Sequence, residues 1–128
     1  MLDTNIVSHV LKKHSAVTER LIATPMNRLC VSAITEGELL LGLARRPAAT
    51  RLRLAVTEFL SRVEVLPWDR AAAQQYGLTR AAMAREGRVI APMDLLIATH
   101  ALSIDAVLVT NDHAVKQMSM LHIEDWTS

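Results

Sequence analysis

Short apolar runs alternate along this chain with longer stretches in which apolar residues recur every three or four positions. The first kind suits strands buried on both faces; the second suits helices with one inward stripe. Residues 1–3 predict the end of a short strand, and 5–11 and 15–24 predict helices, the second stopped by Pro25. The apolar run 29–32 predicts a strand. Residues 35–45 predict a helix, with Leu39, Leu40, Leu43 and Ala44 at helical spacing. Pro47 suits the first turn of another helix, running to about Ser61 and burying Leu52, Val56, Phe59 and Leu60. Residues 63–66 predict a strand that Pro67 ends, and Asp69 caps a long helix over 70–86 that Gly87 terminates. Pro92 opens a helix through Leu102, and the unbroken run 106–109 is the clearest buried strand. A short helix over 113–118 and a weak strand near 121–123 complete the pattern.

Strands alternating with helices predict an α/β fold, a parallel sheet covered by helices on both faces. No internal repeat, low-complexity tract or linker interrupts it, so a single domain over 1–128 is expected. A chain of this size buries roughly two thirds of its unfolded surface and needs no disulfide. The one cysteine, Cys30, lies in an apolar run and reads as a small buried hydrophobe, which fits a reducing compartment. No apolar run approaches the ~18 residues of a membrane span, and no signal-peptide pattern opens the chain, so a cytoplasmic protein is expected.

Charge changes the picture at four places. Asp3, Glu38, Asp94 and Asp112 each close a predicted strand or open a predicted helix, far apart in sequence. In a parallel α/β fold those positions converge on the carboxyl edge of the sheet, where ligands bind. Gathered carboxylates repel one another and take up protons unless a cation sits among them, and a hard divalent ion with oxygen ligands is the natural occupant. Such an ion facing solvent points to phosphate chemistry. Each acid also has a structural explanation. Asp3 and Asp112 suit helix caps or turns, Glu38 completes a capping box with Thr35, and Asp94 is a favourable first-turn acid. The functional reading rests on all four mapping to one edge.

Setting those four aside leaves nine acids against fourteen Lys and Arg, eleven of them Arg, so the remaining surface is basic. Lys12, Lys13, Arg45, Arg46, Arg51, Arg53, Arg80, Arg85 and Arg88 are the candidates for phosphate contact, against a default of solvated side chains. Trp68 and Trp126 suit packing better than base stacking. Among His9, His14, His100, His113 and His122 no acid–base pair stands out: His100 reads as a core residue and His113 as a surface one.

The segments LDTN at 2–5, TEGELLLG at 35–42, APMDLLIATHA at 91–101 and VTND at 109–112 resemble those of the PIN-domain ribonucleases, and among these the VapC-type toxins of toxin–antitoxin pairs. The likeness spans essentially the whole chain, including EDW at 124–126. It implies a three-layer α/β/α sandwich with a mainly parallel sheet. It implies a Mg²⁺- or Mn²⁺-dependent endoribonuclease cutting structured RNA such as tRNA or ribosomal RNA. It further implies a homodimer neutralised by a VapB-type antitoxin. The family's acids fall on Asp3, Glu38, Asp94 and, less regularly, Asp112. Stretch 113–118 lacks the aromatic that the family commonly carries there, which leaves the role of Asp112 the most open.

Because Mg²⁺ takes only one or two carboxylates directly, Asp3 and Asp94 are expected to be its ligands, with Glu38 and Asp112 positioning water or a second ion. Thr4, Asn5, Thr110 and Asn111 are expected to orient carboxylates or touch substrate. A DNA or flap nuclease using the same acids, and a non-enzymatic receiver-like α/β binding module, are the alternatives.

Overall fold

Adjacent strand residues in the computed structural model, which describes residues 1–128, point into two different cores. Leu2, Val31 and Val109 enter one cluster, while their neighbours Met1 and Leu108 enter the other and Cys30 packs against it. This is the period-two alternation of a sheet covered on both sides. The helices divide accordingly. The first core takes Ile6 and Val7 from α1 (Thr4–Leu11), Val17 from α2 (Ser15–Ile22), Leu39 and Leu43 from α3 (Ala33–Arg45) and Val56 from α4 (Thr50–Arg62). The second takes Met83 from α5 (Arg70–Arg85), Ile97 and Ala101 from α6 (Pro92–Ser103) and Val115 from α7 (His113–Lys116). The expected α/β/α layering follows. Each fully buried Leu, Ile or Val contributes about 1.5–3 kcal/mol relative to exposure.

The strands are short. β1 (Cys30–Ser32) pairs in parallel with β2 (Glu64–Leu66), and β3 (Leu108–Val109) with β4 (Ile123–Glu124). Residues 1–3 join the two pairs. The Leu2 amide donates to the Cys30 carbonyl (3.0 Å), Val109 donates to Met1 (2.8 Å) and Asp3 donates back to Val109 (3.1 Å). Leu2 and Val109 form a parallel bridge. The expected first strand is thus a central connector, and Asp3 stands at its end.

Several expected boundaries shift for local reasons. Ser32 accepts from the Ile34 amide at 3.1 Å, so α3 begins at Ala33, ahead of Thr35. A turn through Pro47 delays α4 to Thr50. On α3, Leu39 and Leu43 are buried, but Leu40 and Ala44 face solvent. Of the expected α4 stripe only Val56 is fully buried; Leu52, Phe59 and Leu60 pack partly covered against the first core. Cys30, expected to be buried, is half-buried because it opens its strand, while Val31 and Ser32 lie inside. Trp126 is buried in the first core and Trp68 is half-buried with its indole donating to the Leu96 carbonyl (3.0 Å), both in packing roles. No helix is long and apolar enough to cross a membrane.

Candidate functional site

Two strand-to-helix switches are built on the same device. Asp3 ends the central connector with extended backbone and caps α1, its Oδ1 accepting from the Ile6 amide at 2.9 Å. Asp112 follows β3 and caps α7, its Oδ1 accepting from the Val115 amide at 2.9 Å. The capping reading therefore holds for both. It leaves the carboxyl groups anchored by one oxygen at the carboxyl edge of the sheet.

Between them lies Thr110, fully buried. Its hydroxyl accepts from the Asp112 amide at 3.0 Å and hydrogen-bonds the Asp3 carboxylate, so one side chain ties the two acids together. Thr4 plays the matching part on the other flank: its hydroxyl donates to Glu38 Oε1 at 2.6 Å and lies 3.2 Å from the Thr35 hydroxyl. The capping-box reading of Glu38 does not survive. With Ser32 as the cap, Glu38 sits a full turn further into α3 and bonds across to α1. Asp94 occupies the first turn of α6, half-buried, and no side-chain hydrogen bond of the chain reaches it. Asn5 and Asn111 are exposed and bond none of the carboxylates.

The four acids share one electrostatic environment. Burial raises the Asp3 carboxyl above its ordinary 3.8, with hydrogen bonds from Thr110 and Ile6 opposing and the charges of Asp112 and Glu38 adding to the rise. Asp94 is pushed up to about 6, first by burial and then by Asp112, Asp3 and Glu38. Carboxylates raised jointly by burial and by one another mark a place that favours a cation. No three Asp, Glu, His or Cys side chains already cage an ion by themselves. A hard ion that keeps most of its waters needs no such cage, and an all-oxygen donor set of carboxylates and hydroxyls fits Mg²⁺ or Mn²⁺.

Sequence reasoning missed two features beside this site. Thr35, read as a cap, is a buried neighbour of Thr4. His100, read as core, is indeed buried, but its Nδ1 lies 2.7 Å from Ser32 Oγ, linking the helix of Asp94 to the cap of the helix of Glu38. His9 and His14 also meet edge to face at 4.9 Å, at the far end of α1 from Asp3. His113 is exposed, as expected.

Comparison with known proteins identifies the class. Residues 1–120 match the family model described as PIN domain, so the chain belongs to the PIN-domain family. A "tRNA(fMet)-specific endonuclease VapC" of Shigella flexneri is 35% identical over 128 residues, covering 99% of this chain and 97% of the relative. Its counterpart of that name in Salmonella typhimurium is 39% identical over 128 residues, covering 98% and 96%. The crystal structure of VapBC2 from Rickettsia felis, bound to a DNA fragment from its promoter, contains a chain that superposes with a TM-score of 0.91 at 31% identity, covering 98% of this chain and 97% of that one. DNA-bound VapBC from Salmonella typhimurium gives a TM-score of 0.91 at 38% identity, covering 98% and 96%. Within its family the chain therefore falls among the VapC ribonucleases, and the receiver-like and DNA-nuclease alternatives give way to an endoribonuclease.

Proposed function

We propose that this chain is the toxin of a toxin–antitoxin pair. In this reading it is a divalent-metal-dependent endoribonuclease that cuts structured RNA, tRNA or ribosomal RNA, to arrest translation. The observation that carries the reading is the mutual field of Asp3, Glu38, Asp94 and Asp112, four acids from separate segments, each raising or sharing in the raising of Asp94. The chain acts as one unit over 1–128, in the cytoplasm, as a homodimer held inactive by a VapB-type antitoxin. The similarity to chains of VapBC complexes supports the antitoxin partner, and that to relatives named tRNA(fMet)-specific endonucleases supports the RNA-cleaving activity.

Asp94 and Asp3 would hold the ion. Asp94 is unencumbered by internal hydrogen bonds, and Asp3 is fixed by the cap of α1. When bound, Mg²⁺ or Mn²⁺ supplies an acidified water and neutralises phosphate charge. Glu38, oriented by Thr4, and Asp112, held by Thr110 and α7, align the attacking water and accept its proton through their free oxygens. The hydrogen bonds that fix Glu38 and Asp112 keep that alignment before RNA arrives. Attack by water leaves a 5′-phosphate and a 3′-hydroxyl, whereas the His9–His14 pair acting through the RNA 2′-hydroxyl would leave a cyclic phosphate. Cellular RNA incubated with the protein in Mg²⁺, in EDTA and with Asp94→Asn tests the proposal. A discrete RNA lost only with parent protein and metal is the expected result; cleavage that persists in EDTA, or in the variant, contradicts it.

A further inference from the structure

A groove of about 360 Å³ between α1, α3 and α4 begins at the acid site, where Thr4 and Glu38 line it. Its other lining side chains include Lys12, Arg45 and Arg46 above a floor that contains Leu39 and Val56. The helices explain this polarity. Thr4 opens α1 and Lys12 follows its last residue; Glu38 lies midway along α3 and Arg45 and Arg46 close it. At 1.5 Å per residue the cations stand roughly 10–12 Å along the helices from the Thr4–Glu38 contact. The chain's ion pairs involve Arg20, Arg62, Arg88 and Lys116, so none of the three groove cations is neutralised. Glu38 is the one acid in the groove lining.

The other basic candidates lack this combination. Arg80 hydrogen-bonds the Tyr76 hydroxyl and Arg88 pairs with Glu86; both line a separate cavity that contains no acid of the site. Lys13, Arg51, Arg53 and Arg85 line neither cavity.

We propose that this groove is the substrate track. In it, Lys12, Arg45 and Arg46 bind backbone phosphates of the RNA strand flanking the bond that is cut at the acids. The proposal rests on the nuclease reading and adds a subsite to it. A polyanion threading past four carboxylates needs compensating cations close by, and three unpaired ones on a shared wall with Glu38 supply them. Arg45 and Arg46, with planar forks, suit phosphate recognition, and Lys12 adds a point charge.

The test compares Lys12→Gln/Arg45→Gln/Arg46→Gln with Arg28→Gln/Arg70→Gln/Arg85→Gln, which removes equal charge outside the groove. The probe is unfractionated tRNA. Binding is measured in EDTA across a salt series, and cleavage in Mg²⁺. The groove variant should bind at least tenfold more weakly, and the slope of log affinity against log salt should fall by about two, near 0.7 for each lost phosphate contact on single strands. Its KM should rise with kcat within about twofold of parent, while the control triple stays near parent in both assays. Equal losses in the two triples, or unchanged tRNA binding in the groove triple, would overturn the proposal; unchanged tRNA binding together with weakened binding of a VapB-type antitoxin, titrated in parallel, would assign the groove to the protein partner. Failure of the nuclease reading shows separately, as parent protein that binds tRNA through the groove and leaves it uncut in Mg²⁺.

Discussion

The Thr4 hydroxyl donates to Glu38 Oε1 across 2.6 Å, tying the first turn of α1 to the middle of α3 at the edge of the acid cluster. A hydrogen bond to a carboxylate fixes its rotamer, and Glu38 has more rotamers to lose than any aspartate of the set. Thr4→Val keeps the shape and removes the donor. It should lower kcat about tenfold, equivalent to ~1.4 kcal/mol of barrier, with Thr4→Ser near parent. Steady-state cleavage rates check this; equal rates for Val and Ser would remove Glu38 positioning from the account.

Asp94 ionises at about 6 in the folded protein and near 3.8 when unfolded. The folded state thus binds this proton more tightly, and the charged form destabilises it fully above about 6. As pH falls through 6 toward 3.8, that penalty is progressively relieved. His100, whose affinity for a proton is lowered by burial, acts in the opposite direction as pH falls through its ordinary 6.5, so the parent curve alone mixes the two. Asp94→Asn isolates the carboxylate. Without divalent ions it should melt above parent at pH 7.5, with a margin that closes as pH drops below 6. Saturating Mg²⁺ should raise the parent and leave the variant unmoved. Thermal melts over this pH range test both parts.

Asp3 carries two duties that substitution can separate. Asp3→Asn keeps an oxygen for the Ile6 amide and removes a buried charge, so the metal-free fold should be as steady as parent or steadier. Asp3→Ala loses the cap and should be less stable than Asn by about 1 kcal/mol. Both should abolish cleavage. Denaturant titration ranks the three proteins, and an Ala variant as stable as Asn would deny the cap its role.

The Ser32–His100 contact at 2.7 Å lies fully inside the protein and joins α6 to the N-terminus of α3. Ser32→Ala removes both this contact and the cap on Ile34, stranding the imidazole nitrogen. The expected cost is about 1–3 kcal/mol, a melting point lower by roughly 5–10 °C. A shift under 2 °C would show that water replaces the serine.

The period of the apolar pattern was sufficient for the layering, because buried parallel strands and one-sided helices leave different traces: the run 106–109 contains β3, and the spacing in 70–86 brackets α5. Boundaries were less legible where tertiary contacts chose the cap. Ser32 takes that role from Thr35 because its hydroxyl also meets His100, sixty-eight residues away, a contact no local pattern announces. The same holds at the site. Asp3 and Asp112 were visible as polar residues after apolar runs, but Thr110 as the link between them and Thr4 as the partner of Glu38 depend on which strands become neighbours. The charge of Lys12, Arg45 and Arg46 was plain in sequence; that they share a wall with Glu38 follows only from the packing of α1 against α3.

The central claim is that Asp3, Glu38, Asp94 and Asp112 form one divalent-ion site. Calorimetric titration of metal-free protein with Mn²⁺, at pH 7.5 and again at pH 5.5, measures it most directly. Saturable binding that weakens at the lower pH, and that is lost in Asp94→Asn and reduced in the amide variants of the other three, is the result expected. Mn²⁺ affinity indifferent to all four substitutions would contradict it.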